Sequence, residues 1–441
     1  MKKVKIVGAG LAGSEAALQL ADNGWQVDLY EMRDKKTTSA HQTHLCAELV
    51  CSNSLKSTLL SSASGLLKAE LEMMGCKLLP IAKKVAVPAG NALAVDRYLF
   101  SEYVHKTIIN HPNIKLINEE VTAFDDTLTI LATGPLSSDK ITQSLIKDIG
   151  DNHLYFFDAI APVVYTDTIN MDIVFSKSRY SDDNSDYLNC PFNKDEYLNF
   201  VDALIKGEKY EAKEFESEFF NNIEYKFYEN CIPIEELARR GVDTLRYGTM
   251  RPVGLDDPRT GKRPYALIQL RIENRNKTTY NLVGCQTMLK YGAQKDIFRL
   301  IPGLENADFA RYGSIHRNTY INTAKVCNEN FSLKNRSNIF VAGQLSGVEG
   351  YVESIFSGLL VANIINSKLP ILPETTIMGQ IWRFLTTEHK HFLPINANFG
   401  LLPAILDKIG KKEKKLEYSQ RALSDLSSFL NSQQRSDHYE F

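Results

Sequence analysis

The apolar and polar positions of the first thirty residues predict a strand, a helix and a second strand. Residues 4–10, VKIVGAG, are a short β-branched run that ends in glycine, which is typical of a buried strand. Residues 11–24, LAGSEAALQLADNG, follow a helical pattern that closes at Asn23-Gly24, because glycine suits the left-handed position after a helix. Residues 25–31, WQVDLYE, predict the next strand. This βαβ unit predicts an α/β fold with a doubly wound parallel sheet.

Two later segments extend the same sheet. Residues 113–135 carry strand signals, and residues 338–365 repeat the order of strand, glycine-rich turn and helix. The chain between them is rich in Tyr, Phe, Asn and charge, with scattered short strands and helices. We therefore predict that residues 1–150 and 330–441 form one discontinuous Rossmann-like domain, into which residues 151–329 are inserted as an α+β domain.

Composition narrows the class of protein. The chain has 441 residues, 44% hydrophobic and 24% charged, as expected for a globular protein with ample core. Its 51 Lys and Arg against 53 Asp and Glu give no overall charge that would attract nucleic acid, so any RNA contact must be local. Seven scattered cysteines without a CxxC pair predict neither disulfides nor a metal site, which fits a cytoplasmic protein. No apolar stretch is long enough to predict a membrane span.

The first glycine turn has the spacing of a dinucleotide-binding loop. Gly8, Gly10 and Gly13 form GxGxxG between the predicted strand and helix. Gly8 permits the tight turn, Gly10 lets the backbone approach a pyrophosphate, and Gly13 allows the helix to pack closely on the sheet. Glu31 ends the second strand, where a carboxylate accepts hydrogen bonds from a ribose.

A second glycine turn favours FAD over NAD as the dinucleotide. Gly343 ends a predicted strand, and Gly347 and Gly350 precede a predicted helix. An FAD protein needs such a second segment to hold the rest of the cofactor, whereas an NAD dehydrogenase does not. The alternative is a packed βα unit without a ligand.

Two of the cysteines have local arguments for chemistry. Cys231 stands before a predicted helix with Pro233 at its first position, where the helix dipole favours a thiolate, although Glu235 and Glu236 oppose that effect. Cys51 precedes the capping residues SNS, where a flavin bound to the first domain could reach it. The other five fit buried core positions.

Basic residues concentrate at two places. Residues 251–271 include five Lys and Arg with an interleaved tyrosine, which suits RNA phosphates or folate carboxylates, although a solvated loop is the simpler interpretation. We nevertheless take this segment as the predicted RNA-facing surface, with Arg259 and Lys262 at its centre. Residues 409–432 have a basic front and apolar residues at helical spacing, which predicts a surface helix.

Taken together, these segments resemble the folate- and FAD-dependent tRNA (uracil-5-)-methyltransferase family, the TrmFO type. The stretches that carry the resemblance span nearly the whole chain: VGAGLAGSEAALQLADNGWQVDLYEMR, AELVCSNSL, VPAGNALAVDR, YLNCPF, GLDDPRTGKRPYA, GAQKDIFRLIPGLENA, HRNTYIN, VAGQLSGVEGYVES and NANFGLLP. Several are specific to this family among flavoproteins, whereas GxGxxG is not.

The resemblance implies an enzyme that methylates carbon-5 of uracil in RNA. NAD(P)H would reduce FAD, and methylenetetrahydrofolate would supply the one-carbon unit. The implied substrate is the T-loop uridine of tRNA, with a 23S rRNA uridine as the alternative. A redox partner that binds FAD without methyl transfer is a second alternative, and a methyltransferase that uses S-adenosylmethionine a third.

The resemblance also implies roles for particular residues. The family's two functional cysteines fall on Cys51 and Cys231, with Cys231 as the nucleophile and Cys51 as its partner, or the reverse. Arg33 and Tyr351 would contact the cofactor. The family more usually has His and Trp where this chain has Met288 and Tyr291, so a contact to folate or RNA would differ here.

Overall fold

The computed structural model describes residues 2–38, 40–150, 153–179, 186–210, 232–366, 372–390, 392–405 and 410–437. Its strands are, in chain order, β1 (Lys3–Val7), β2 (Gln26–Tyr30), β3 (Ser54–Ser57), β4 (Ala86–Val87), β5 (Ala92–Val95), β6 (Ile114–Ile117), β7 (Thr129–Leu131), β8 (His153–Ile160), β9 (Val163–Tyr165), β10 (Phe175–Ser176), β11 (Tyr187–Phe192), β12 (Ala266–Ile272), β13 (Thr279–Leu282), β14 (Phe309–Arg311), β15 (Ser314–Ile321), β16 (Ser332–Leu333) and β17 (Arg336–Val341). Its α-helices are α1 (Leu11–Asp22), α2 (Ala63–Met73), α3 (Leu78–Lys84), α4 (Arg97–Ile109), α5 (Asp139–Ile149), α6 (Lys194–Lys206), α7 (Ile234–Arg239), α8 (Thr244–Tyr247), α9 (Tyr291–Phe298), α10 (Thr323–Val326), α11 (Tyr351–Ile365), α12 (Ile377–Thr386) and α13 (Lys411–Asp437).

A parallel sheet built from both ends of the chain positions the site. Its order is β16-β17-β7-β1-β2-β6, and every neighbouring pair is parallel except β16 with β17. Ile6 of β1 pairs with Leu29 of β2 on one side and Ile130 of β7 on the other, and all three side chains are buried. Strands buried on both faces are expected where helices cover a parallel sheet. The predicted α/β fold with a doubly wound sheet is confirmed.

Helices α1 and α11 pack against each other across one face of this sheet. The contact is close because α11 carries Gly358, where a Cβ would lie 2.2 Å from the carbonyl oxygen of Ala12. The two glycine turns that precede these helices are therefore brought side by side.

A second, antiparallel sheet has the order β10-β11-β12-β13-β9-β14. Phe192, Phe200, Phe298 and Leu270 are fully or almost fully buried in its core, where α6 and α9 pack on the strands. Ala94, outside the predicted insert, also belongs to this core. The predicted bounds of the two domains stay a prediction.

The C-terminal segment forms the predicted helix, and one of its faces packs on the rest of the chain. Ala422 and Leu426 of α13 are buried, and the Ser419 hydroxyl donates to the carbonyl of Leu60 at 2.6 Å. Within the described part of the chain, no helix combines the length and the apolar character needed to cross a membrane.

Candidate active site

The first glycine turn has two positions that packing requires and one that opens on a cleft. Gly8 has φ of 100°, and a Cβ there would lie 2.5 Å from the carbonyl oxygen of Ala132. A Cβ on Gly13 would lie 1.9 Å from the carbonyl oxygen of Gly8, so this glycine serves the packing of α1 on β1. Gly10, the N-cap of α1, faces open space, because no atom lies within 4 Å of an added Cβ. The backbone at Gly10 is therefore accessible to a ligand at the positive end of the helix dipole.

Glu31 and Arg33 form a buried ion pair beside this turn. Glu31 Oε2 accepts hydrogen bonds from the Ala9 N–H and from Arg33 Nη2, both at 3.0 Å. Burial favours the neutral form of Glu31, but the charge and hydrogen bond of Arg33 and the Ala9 N–H outweigh it, so the pKa of Glu31 is lowered. Arg33 Nη1 lies 3.5 Å from Glu48 Oε2 and has no hydrogen-bond partner among the described residues. An ionised Glu31 and a guanidinium with an unused donor face the cleft.

The two glycine turns line a common cleft of about 140 Å³. Gly343, with φ of 75°, lies against α1, where its added Cβ would be 3.0 Å from the Ala12 Cβ. Of the predicted cofactor contacts, those that line the cleft are Gly8, Gly10, Glu31, Arg33, Gly343 and Tyr351. Gly13 does not line it, which fits its packing role. The second glycine unit thus opens on the same space as the first, as a cofactor longer than a mononucleotide requires.

Cys51 lies in a loop that Tyr351 holds at the cleft. The Tyr351 hydroxyl accepts hydrogen bonds from the N–H groups of Cys51 at 2.8 Å and Ser52 at 3.1 Å. Burial is the main cause that raises the pKa of Tyr351, so the phenol is neutral and keeps its own proton to donate. Val50 and Tyr351 both line the cleft, which places the Cys51 loop at its wall.

The carbonyl side of the same loop is held by two arginines. Arg311 donates to the carbonyls of Val50 at 3.0 Å and Cys51 at 3.2 Å, and Arg97 donates to that of Leu49 at 2.8 Å. Burial, and then the charge of Arg97, lower the pKa of Arg311 to about 10, so the guanidinium is still charged at neutral pH. No pattern in the sequence indicates that these two arginines hold the Cys51 loop. The motif VPAGNALAVDR contains Arg97, but nothing local connects it with Cys51.

The described cysteines other than Cys51 are buried: Cys46, Cys76, Cys190, Cys285 and Cys327. Burial is the main cause that raises the pKa of each, to about 12 for Cys46 and Cys327. Cys51 is partly exposed, the condition that a reactive thiol needs.

Cys231 lies outside the described residues, and the helix after it begins one residue later than predicted. Pro233 is the N-cap of α7, which starts at Ile234. Glu235, expected to oppose a thiolate, is instead buried. Its carboxylate accepts hydrogen bonds from the Met288 N–H at 2.6 Å and the Thr287 hydroxyl at 3.0 Å, and burial raises its pKa to about 7.

The two positions that depart from the family pattern differ in exposure. Met288 is buried, whereas the Tyr291 side chain is 52% exposed and stacks on Tyr312, with ring centroids 5.1 Å apart. A substrate can therefore reach Tyr291 more readily than Met288.

Three of the five basic side chains in segment 251–271 are held by neighbouring groups, and the RNA-facing role of the segment stays a prediction. Arg259 is held by Asp257, at 2.7 Å, and by the carbonyl of Ile173. Arg263 pairs with Asp256 at 3.0 Å, and Arg271 is buried, with its Nε donating to Asn53 at 2.9 Å. These arginines hold loops together, so their charges are already compensated.

Comparison with known proteins places the chain in a family. Residues 3–370 match the family model described as "GIDA: Glucose inhibited division protein A". A relative from Exiguobacterium sibiricum, "Methylenetetrahydrofolate--tRNA-(uracil-5-)-methyltransferase TrmFO", is 49% identical over 440 residues, covering 98% of this chain and all of the relative. The proteins of the same name from Staphylococcus epidermidis and Bacillus cytotoxicus are each 48% identical, over 97% of this chain and 99% of their own. This chain belongs to the TrmFO family.

A solved structure supports the fold of this TrmFO family member. Aquifex aeolicus GidA superimposes with a TM-score of 0.68 over 98% of this chain and 73% of its own, at 15% identity. At that identity the likeness shows the fold alone. The glycine-turn cleft and the Cys51 loop of this TrmFO family member thus lie on a fold that the two proteins share.

Proposed function

We propose that this chain transfers a one-carbon unit from methylenetetrahydrofolate to carbon-5 of a uracil in RNA, with FAD as cofactor and NADH or NADPH as reductant. The proposal is supported by the full-length similarity to proteins named for this activity. The structural observation that carries it is the loop of Cys51, held by Tyr351 at the wall of the cleft that both glycine turns line.

The cleft residues fit FAD. Gly10 leaves room for a pyrophosphate at the N-terminus of α1, and ionised Glu31 suits a ribose hydroxyl. The Arg33 guanidinium, one donor of which has no hydrogen-bond partner among the described residues, suits an anionic or carbonyl oxygen, and Gly343 and Tyr351 also line the cleft. When bound and reduced by NADH or NADPH, the flavin would supply the two electrons that convert the transferred unit to a methyl group.

The thiols supply the activation that uracil requires. Carbon-5 of uracil becomes nucleophilic when a thiolate adds to carbon-6, and a base must later remove the carbon-5 proton. We assign the addition to Cys231 and the partner role to Cys51, and the reverse assignment is the alternative. The hydrogen bonds of Tyr351 and Arg311 fix the main chain on both sides of Cys51, which fixes the origin of its side chain.

We propose the T-loop uridine of tRNA as the substrate, because the relatives are named for tRNA. A 23S rRNA uridine is the alternative substrate. The chemistry is the same for both RNAs.

The test is methyl incorporation by the purified protein with FAD, NADPH and methylenetetrahydrofolate, using unmodified tRNA and a 23S rRNA fragment in parallel. Label in the T-loop uridine supports the tRNA substrate, and label only in rRNA moves the substrate while keeping the chemistry. Label in neither, with flavin bound and reducible, refutes the proposal and favours a redox partner.

Cysteine variants test the mechanism in the same assay. We expect Cys51→Ala and Cys231→Ala each to abolish incorporation, while Cys327→Ala, a buried thiol, retains it. If the double variant of Cys51 and Cys231 still methylates RNA, the covalent mechanism is wrong.

A further inference from the structure

The surface of helices α7 and α8 carries arginines that few acidic groups balance. Arg240 and Arg251 are exposed and have no ion pair among the described residues. Arg239 is half exposed and meets Glu236 only at 3.5 Å. Helices α7 and α8 contact each other, and we call the part of the surface that they and the turns after them supply the α7–α8 surface: Arg239, Arg240, Arg246, Tyr247 and Arg251.

The described acidic groups of helices α7 and α8 and their turns are too few to neutralise the α7–α8 surface. Glu235 is buried and tied to Thr287 and Met288, so it does not face the surface. Glu236 is largely buried, with 28% exposure of its side chain, and Asp243 lies 3.9 Å from Arg246. Among the described residues 232–251, four arginines therefore stand against two carboxylates that are not buried.

Lys209 adds to the same positive field from a neighbouring segment. Burial is the main cause that lowers its pKa, and the charge of Arg239 lowers it further. Positive charges that lie close together at a surface repel one another, and an anion with several charges relieves that repulsion when it binds there.

An aromatic platform lies within this positive surface. The Tyr247 side chain is 71% exposed, the largest exposed fraction among the large hydrophobic side chains of the described residues. The Arg246 guanidinium lies 4.2 Å from the ring centroid of Tyr265 and 5.4 Å from that of Tyr247. Its Nε donates to the Tyr265 carbonyl at 3.0 Å, so the stack is fixed before any ligand arrives.

We infer that the α7–α8 surface docks an unpaired loop of the substrate RNA, with phosphates on the arginines and a base stacked on Tyr247. Arginines interleaved with exposed aromatic rings suit single-stranded nucleic acid, because phosphates provide the charge and every base has a face that stacks. Paired bases are already stacked on their neighbours, which is why a loop fits this surface better than a duplex. The inference rests on the proposed RNA substrate and adds where that RNA binds.

The position of the surface along the chain agrees with this role. Helix α7 begins at Ile234, three residues after Cys231. RNA bound to α7 and α8 therefore contacts residues that closely follow the proposed nucleophile in the sequence. In residues 259–271, by contrast, Arg259 and Arg263 are paired and Arg271 is buried.

The test measures binding of an RNA hairpin with an unpaired loop to the FAD-bound protein at several salt concentrations, without folate or reductant. We expect the double variant Arg240→Glu/Arg251→Glu to bind about tenfold more weakly, with a shallower salt dependence. Each lost phosphate contact lowers the slope of log K against log salt by about 0.7. We expect Tyr247→Ala to weaken binding about fivefold or more with the slope unchanged, because stacking is not screened by salt.

Two control variants and one control RNA separate this surface from its rivals. Lys140→Glu reverses an exposed charge on α5, and Lys262→Glu reverses one in segment 251–271. Both variants should bind the hairpin as tightly as the unchanged protein does. A fully paired duplex should bind more weakly than the hairpin. The inference is overturned if Tyr247→Ala binds normally, if Lys262→Glu alone weakens binding, or if the duplex binds as well as the hairpin.

Binding and methyl transfer can fail separately. If the hairpin binds through this surface but no RNA is methylated, the proposed function fails and the docking surface stands. If RNA is methylated and the α7–α8 variants leave its KM unchanged, the docking surface is wrong and the function stands.

Discussion

Replacing Tyr351 by phenylalanine removes one oxygen that holds the loop of Cys51. That oxygen accepts hydrogen bonds from the N–H groups of Cys51 and Ser52, at 2.8 and 3.1 Å, within a partly buried contact. Each buried N–H left without a partner costs about 1–3 kcal/mol. If water replaces part of the loss, two such groups still predict a free energy of unfolding lower by about 2–4 kcal/mol.

The structural change should be local to the loop. We expect Tyr351→Phe to keep its secondary structure and its flavin, because the ring stays and the glycine turns are untouched. Cys51 should react faster with iodoacetamide, and methyl transfer should fall. Urea unfolding gives the stability, and mass spectrometry of the alkylated peptide gives the rate at Cys51.

A matched control is Tyr418→Phe. The Tyr418 hydroxyl accepts a hydrogen bond from a single main-chain N–H, that of Ile405, at 3.4 Å. It should lose about 1 kcal/mol or less and leave the alkylation rate of Cys51 unchanged. Equal stability and equal alkylation rates in Tyr351→Phe and the unchanged protein would refute the idea that Tyr351 holds the loop.

Two further predictions concern the first glycine turn and helix α7. Gly10→Ala should fold normally but lose FAD, as measured by flavin absorbance. Gly13→Ala should fail to fold, because its Cβ would lie 1.9 Å from the carbonyl oxygen of Gly8. A Gly10→Ala protein that keeps its flavin would count against the cofactor site. Burial raises the pKa of Glu235 to about 7, so its protonated form stabilises the fold, and that stability is lost as pH rises from about 4.5 through 7. Urea unfolding at several pH values should therefore show a flatter pH dependence for Glu235→Gln, and an unchanged slope would contradict the assignment.

The glycine turns could be predicted from the sequence because their signals are local. Gly13 is required by its contact with Gly8 inside the β1–α1 unit, and the spacing of the glycines encodes that packing. The short apolar runs at the start of the chain predicted the order strand, helix, strand for the same reason. The placement of both turns on one cleft followed from the doubly wound topology.

The rest of the site depends on contacts that no local pattern records. Tyr351 and Cys51 are 300 positions apart, and Arg311 reaches the same loop from another sheet. The RNA-facing surface predicted at residues 251–271 stays a prediction, and the sequence shows the charge of Arg259 but not the carbonyl of Ile173 that it binds. Exposure decides which arginines are available, and exposure is a property of the folded chain.

The loop of Cys51 is held by three residues that are synthesised long after it. Arg97 comes first, Arg311 follows after more than two hundred residues, and Tyr351 comes last. A growing chain that has not yet reached residue 351 therefore has the thiol but not the contacts that orient it. Assembly of the proposed reactive centre is tied to the folding of the final strand–helix unit, so an incomplete chain lacks the ordered centre.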